Sequence, residues 1–329
     1  MPTNLPPDYY EIEKRYRAAE SIAEKVSLLE AMYSVVPKHK GTDHLRADLR
    51  RQLSRLKAEA QQRKKHGGLA PVFHIEKEGA GQAVVIGAAN TGKSALVRSL
   101  THAEPEVSPA PFTTWRPAPG MMAFENVQIQ LVDTPPLDRG FVEPGLFDLC
   151  RHADLILLMV DLQADPLEQL TEGLDSLGEH RITLDTWLDN FSADDRMTFK
   201  PLLVLANKCD GPDQDEDYAV FCALIEPGLE VLQISVLAGR NIADFKRRVY
   251  ARLGVVRVYA RPPGQEPDLA RPFVLKAGGT VQELALRIHK DFYERLKSAR
   301  VWGSAAFEGQ QVQRDYVLKE GDIVELRTS

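Results

Sequence analysis

The chain has 329 residues, 43% hydrophobic and 27% charged, with a net charge of −6, so a packed protein of about two domains is expected. No apolar run approaches the ~20 residues of a membrane span, and the start, MPTNLPPDYYEIEKRYR, lacks the apolar core of a signal peptide. Cys150, Cys209 and Cys222 are unclustered, which argues against a disulfide frame or a zinc site and for a reducing compartment, by default the cytoplasm.

Charge is unevenly spread: +5 over residues 1–66, −13 over 67–254 and +2 over 255–329. Basic ends around an acidic middle are compatible with flanking segments that touch nucleic acid. Solvated helix faces give the same pattern. The first 66 residues read as a helical hairpin. Ile12, Tyr16, Ala19, Ala23 and Val26 form one apolar stripe and Leu45, Leu49, Leu53 and Leu56 a second, with a turn at Pro37–Gly41. The second arm is arginine-rich, facing either RNA or solvent.

Residues 67–254 are organised around Gly87-Ala88-Ala89-Asn90-Thr91-Gly92-Lys93-Ser94, which fits the phosphate-binding pattern G-x-x-x-x-G-K-[ST]. An apolar strand, Ala83 to Ile86, precedes it, and Ala95, Leu96 and Leu100 follow at helical spacing. Gly87 and Gly92 let the backbone curl, so that the amides from Ala88 through Asn90 and Thr91 to Ala95 face phosphate. The positive end of the new helix adds to that field. Lys93 is placed to neutralise the β- and γ-phosphates, and the Ser94 hydroxyl to ligate Mg²⁺.

A proline-rich loop, residues 104–119, carries Thr113-Thr114 where nucleotide switches place a threonine on Mg²⁺. Strands are expected at 121–124 and 127–132, the second delivering Asp133 to the metal's outer shell. The all-apolar run 155–160 reads as a strand covered on both faces, the apolar run 201–206 as another strand and 231–234 as a further one. Residues 163–200 read as surface helices without chemistry. Asn207-Lys208-Cys209-Asp210 closes one apolar strand and fits N-K-x-D, whose carboxylate accepts the guanine N1–H and N2–H₂. Such paired demands discriminate bases by about 10⁴ or more. Ser235 and Val236 resemble the loop whose N–H meets guanine O6. Together these segments predict an α/β fold: a doubly wound, mostly parallel sheet with its ligand loops at the carboxyl ends of the strands.

Residues 255–329 read as a separate module, strand-strand-helix-strand-strand, a small ubiquitin-like sheet grasping one helix. Thr280 and Glu283 form a capping box at the helix start. It has no nucleophile or metal cluster and reads as a binding module.

Motif order and local strings resemble the developmentally regulated GTP-binding proteins, which are Obg-related GTPases bearing a TGS domain. The strings are Pro37–Thr42, Pro111-Phe112-Thr113-Thr114, Asn207–Asp210, Val256-Arg257-Val258-Tyr259 and Val301-Trp302-Gly303. The resemblance implies a hairpin, a GTPase domain and a C-terminal β-grasp TGS domain. It also implies slow Mg²⁺-dependent GTP hydrolysis, with Lys93, Thr114 and Asp133 catalytic and Ser94 and Thr114 on the metal. The partners implied are GTP and GDP, then the ribosome or RNA through hairpin and TGS domain, a protein partner being also open; no membrane is implied. The family's inserted subdomain is missing or reduced to about 163–200. Relatives with asparagine at position 90 use it to coordinate K⁺; an asparagine that only caps the loop is the alternative.

Two departures bear on activity. The second switch normally reads Asp-x-x-Gly, whose glycine N–H meets the γ-phosphate; here it reads Asp133-Thr134-Pro135-Pro136, and proline has no N–H. Leu137 stands where many GTPases orient water with glutamine. Weak γ-phosphate sensing and slow turnover follow, and a scaffold with little hydrolysis is the second reading. An ATP-using kinase is disfavoured by Asn207–Asp210.

Overall fold

The computed structural model describes Leu28, Met32, Val36, Phe73 and residues 75–101, 117–138, 142–192 and 195–328. The expected hairpin, apart from those first three buried residues, and Thr113 and Thr114 lie outside the described residues. The chain divides into two compact units, Met1–Pro71 and Val72–Ser329. The second contains two larger sheets and a small two-stranded one.

The larger sheet is built from β1 (Gln82–Ile86), β2 (Ala118–Phe124), β3 (Val127–Asp133), β4 (Leu155–Asp161), β7 (Leu202–Asn207) and β8 (Val231–Gln233), with β5 and β6 lying apart. Its order is β2-β3-β1-β4-β7-β8, and every pairing is parallel except β2 with β3. Alternate side chains of the central strands enter two cores, one on each face. Val84, Ile86, Ile156, Leu158, Val204 and Ala206 pack with helices α2 (Pro144–His152), α3 (Pro166–Glu179) and α4 (Asp213–Leu224). Ala83, Val85, Leu155, Leu157, Leu203 and Leu205 pack with α1 (Lys93–Leu100) and α5 (Ile242–Arg252). Burial on both faces is why these strands read as unbroken apolar runs.

Two details depart from the sequence reading. Strand β2 starts at Ala118, before Met121, and includes Pro119 paired with Val132. It is the sheet's edge strand, where a missing N–H is tolerated. Residues 163–200 are not only helices: after α3 come β5 (Ile182–Leu184), a 3₁₀ turn (Asp185–Asn190) and β6 (Thr198–Lys200), a separate two-stranded parallel sheet. Three-residue strands are too short to show a period in sequence.

The second sheet, order β10-β9-β13-β11-β12, contains β9 (Val255–Ala260), β10 (Phe273–Lys276), β11 (Leu296–Trp302), β12 (Gln310–Val312) and β13 (Ile323–Thr328). Its central pair, β9 and β13, is parallel; the others are antiparallel. Helix α6 (Val281–Ile288) buries Val281, Leu284 and Ala285 against Val258, Leu275, Ala299, Val301 and Val324. Thr280 caps it by accepting the Glu283 N–H at 3.4 Å. This is the β-grasp plan that the pattern predicts, with a short second helix, α7 (Lys290–Arg295), and strand β12 added.

The module rests on the turn between β2 and β3. Arg257 donates to the Asn126 Oδ1 at 2.9 Å and to the Glu125 carboxylate, while Asn126 Nδ2 donates to the Tyr259 hydroxyl at 2.9 Å and to the Leu269 carbonyl at 3.0 Å. On the other flank Lys276 reaches Asp154 at 2.9 Å.

Candidate functional site: a phosphate loop joined to a base loop

The loop from Gly87 to Gly92 leaves β1 and turns into α1. Gly87 (φ 141°) and Gly92 (φ 103°) have backbone that side chains rarely adopt. A Cβ at Gly92 would lie 2.3 Å from Asn207 Nδ2, so glycine there also lets the base loop approach. No side chain caps α1 and its first turn has no acid, which leaves its leading N–H groups open to an anion. Lys93 is buried, its ammonium 2.9 Å from the Gly87 carbonyl and 2.5 Å from that of Ala88. It is therefore folded into the ring that a phosphate would fill. Thr91 is buried, Ala88, Gly92 and Ser94 half-buried, and Ala89, Asn90 and Ala95 exposed at the rim. Asn90 has left-handed backbone (φ 61°).

Asp133 ends β3 beside Ser94. Burial raises its pKa above the usual carboxylate range, against the opposing pull of the Ser94 hydroxyl, the Lys93 ammonium and the Thr134 N–H. Its Oδ1 is buried with no hydrogen-bond partner among the described residues. A buried, unpaired carboxylate oxygen next to a hydroxyl fits a hard divalent cation such as Mg²⁺. Beyond it, the Thr134 hydroxyl donates to the Val85 carbonyl at 2.7 Å, Pro135 and Pro136 offer no N–H, and the Leu137 N–H is spent on the Gly87 carbonyl at 3.1 Å.

Asn207, at the end of β7, ties three loops together. Its amide donates to the Thr91 carbonyl at 2.8 Å and accepts the Val236 N–H at 3.2 Å. The Asp210 carboxylate accepts the Ser235 hydroxyl, whose oxygen accepts the Ala238 N–H at 2.8 Å. The phosphate loop and the base loop are thus joined at the carboxyl edge of the sheet, Thr114 being outside the described residues. Cys209 is buried, and that burial pushes its thiol up to about 11, so it is no nucleophile.

Three residues of this site were not singled out from the sequence. Asp161 ends β4 and accepts the Lys208 ammonium at 2.5 Å. Arg240 reaches the carbonyls of Cys209 (3.4 Å) and Gly211 (3.2 Å) and the Asp215 carboxylate at 2.6 Å, bracing the base loop. Asp138 accepts the Ala89 N–H at 3.1 Å. Asp161 had a legible signal: like Asp133, it is an acid closing a buried strand, and its own strand is all apolar before it. Arg240 and Asp138 are visible only once loops meet.

Residues 82–208 match the 50S ribosome-binding GTPase family and residues 256–328 the TGS domain family. Fold and matches together define a P-loop GTPase domain followed by a TGS domain. The YchF GTPase of Schizosaccharomyces pombe has a similar fold (TM-score 0.53, 13% identity, covering 77% of this chain and all of that one). An uncharacterised GTP-binding protein of Methanocaldococcus jannaschii is 28% identical over 92% of this chain and 92% of its own. Developmentally-regulated GTP-binding protein 1 of Xenopus laevis is 25% identical over 92% of this chain and 98% of its own. The chain thus combines a domain of the 50S ribosome-binding GTPase family with a TGS domain, and along nearly its whole length it is similar to developmentally-regulated GTP-binding proteins, as the motifs led one to expect.

Proposed function

We propose that this protein binds GTP and GDP at this site and hydrolyses GTP slowly to GDP and phosphate. The observation that carries the reading is Asn207, which hydrogen-bonds at once to the phosphate loop at Thr91 and to the Ser235–Val236 loop. It fixes the distance between the phosphate ring and the base reader.

In this reading the amides from Ala88 to Ala95 take the phosphates, and Lys93 leaves the Gly87 and Ala88 carbonyls to neutralise them. Asp210 accepts guanine N1–H and N2–H₂, the Val236 region meets O6, and Lys208 flanks the base, steadied by Asp161. Ser94 and Thr114 would hold Mg²⁺ directly, with Asp133 behind. Bound there, Mg²⁺ supplies charge neutralisation of the phosphoryl oxygens. Catalysis is positioning and electrostatics, without a covalent intermediate. The buried Pro136 and the half-buried Leu137 give neither an N–H for the γ-phosphate nor a side chain to align water, which supports slow turnover. Asn90, exposed at the rim, is open to K⁺, and turnover in KCl against NaCl tests it.

Single-turnover phosphate release from bound GTP tests hydrolysis. A measurable rate that Lys93→Ala abolishes is expected; no release, with or without ribosomes, leaves the scaffold reading. A role at the ribosome or on RNA rests on the basic N-terminal segment and the TGS module. Co-sedimentation with ribosomal subunits tests it.

A further inference from the structure

We infer that Asp138 is a specificity-determining residue that weights the site toward a nucleoside diphosphate and against a triphosphate. The inference rests on the guanine-nucleotide reading above. Asp138 Oδ1 accepts the Ala89 N–H at 3.1 Å, so a side-chain carboxylate sits on an amide of the loop built to receive phosphate. Through this bond Ala89 meets the segment that follows Asp133. That segment is where switch GTPases meet the γ-phosphate.

The carboxylate is delivered there by a stiff arm. Thr134 is fully buried and bonded to the Val85 carbonyl at 2.7 Å. Pro135 and Pro136 have fixed φ. The Leu137 N–H is then held by the Gly87 carbonyl at 3.1 Å, and Asp138 follows directly. Both the arm and the side chain are therefore bonded to the phosphate loop. The adjoining cleft, about 360 Å³, is also lined by Glu172, Asp175 and Glu179 of α3, with no Lys or Arg among the described lining residues.

A diphosphate ends short of this arm. A third phosphate brings further negative charge to an edge already held by a carboxylate. Either Asp138 leaves Ala89 or two anions share the space, and each costs triphosphate affinity alone. Asp138 is exposed, so solvent screens the repulsion, and across a few ångströms it is worth about a decade in affinity at most. Pro136 removes one attraction for the γ-phosphate, and Asp138 adds a repulsion. These are separate effects on the same choice.

The test uses the full-length, nucleotide-free protein with Mg²⁺. Dissociation constants for GDP and for a slowly hydrolysed GTP analogue are measured for the wild type, Asp138→Asn and Asp138→Glu. The expected result is GDP preferred by the wild type, with Asp138→Asn raising analogue affinity by up to about tenfold while GDP changes by less than about twofold. Asp138→Glu keeps the acid and should keep a preference for GDP. Wild-type binding of GDP without an Asn-dependent shift in the ratio overturns the role of Asp138. So does a parallel change in both affinities, which mere loosening of the loop would give. A wild type that binds neither guanine nucleotide overturns this inference together with the reading beneath it.

Discussion

Asp133 is held in a place that suits a ligand better than it suits the empty fold. Its folded pKa is raised, so its favourable contribution belongs to the protonated form: present below the unfolded value near ~4 and lost as pH rises through the folded value. The charged form of Asp133 is therefore the costly one in the ligand-free protein. Replacing it with a neutral isostere separates stability from function. Asp133→Asn should raise ligand-free stability by about 0.5–2 kcal/mol at pH 7. The same change should weaken Mg²⁺-dependent nucleotide affinity about tenfold or more, with little effect when Mg²⁺ is chelated. Thermal melts with and without Mg²⁺ and GDP check both arms; a variant less stable when empty would refute the strain argument. At this scale the sequence was most readable where chemistry dictates spacing, as from Gly87 to Ser94 and from Asn207 to Asp210. It was silent on Asp138 and Arg240, whose roles come from loops that fold onto each other.

At the scale of elements, the β2–β3 hairpin joins the site to the TGS module. One end of the hairpin carries Asp133, and its turn carries Glu125 and Asn126. Arg257 meets that turn with a side chain only 15% exposed, and it also pairs with Glu320 at 2.6 Å and lies 5.1 Å from the centre of the Tyr250 ring. These partners raise its pKa despite the burial that opposes the charge. Glu125 and Glu320 stay half exposed, so water would recover part of the loss if Arg257 were removed. Arg257→Ala should cost about 1–3 kcal/mol and lower Tm by several degrees, whereas Arg257→Lys, lacking the planar fork, should recover only part. Differential scanning calorimetry decides, and an unchanged Tm would mean the dock contributes nothing. The strand Val256–Tyr259 was recognisable from its apolar pattern, but its docking was not. Arg257 and Glu125 are 132 residues apart, and no local period encodes that meeting.

Across the whole second unit, Asp154 is a joint between three parts of the chain. It sits before β4, accepts the Gln82 N–H at 3.0 Å, and pairs with Lys77 at 2.8 Å and with Lys276 of the TGS module at 2.9 Å. Burial opposes its charge, but the two ammonium groups and the amide outweigh burial and hold its pKa below the usual carboxylate range. A lowered folded pKa contributes stability above the unfolded value, near ~3.9, and that contribution is lost as pH falls through the folded value. Asp154→Asn should therefore cost about 1–2 kcal/mol at pH 7, the lysines being well exposed, and the gap to the wild type should close below about pH 4. Urea unfolding at a series of pH values follows the gap; a constant difference down to pH 3 would contradict the assignment. The overall plan, a doubly wound sheet followed by a β-grasp sheet, was readable because buried strands and capped helices leave strong local patterns. The short sheet of β5 and β6 was not, since three-residue strands carry almost no pattern.

The account depends most on Asp210 choosing the base while Asn207 holds it in register with the phosphate loop. Equilibrium titration of the intact protein with GDP, ADP and XDP, for the wild type and Asp210→Asn, tests that claim directly. The wild type should take GDP over ADP by about 10³-fold or more, and the variant should exchange GDP for XDP. A wild type that holds ADP as tightly as GDP, or a variant that keeps its preference for GDP, would contradict it.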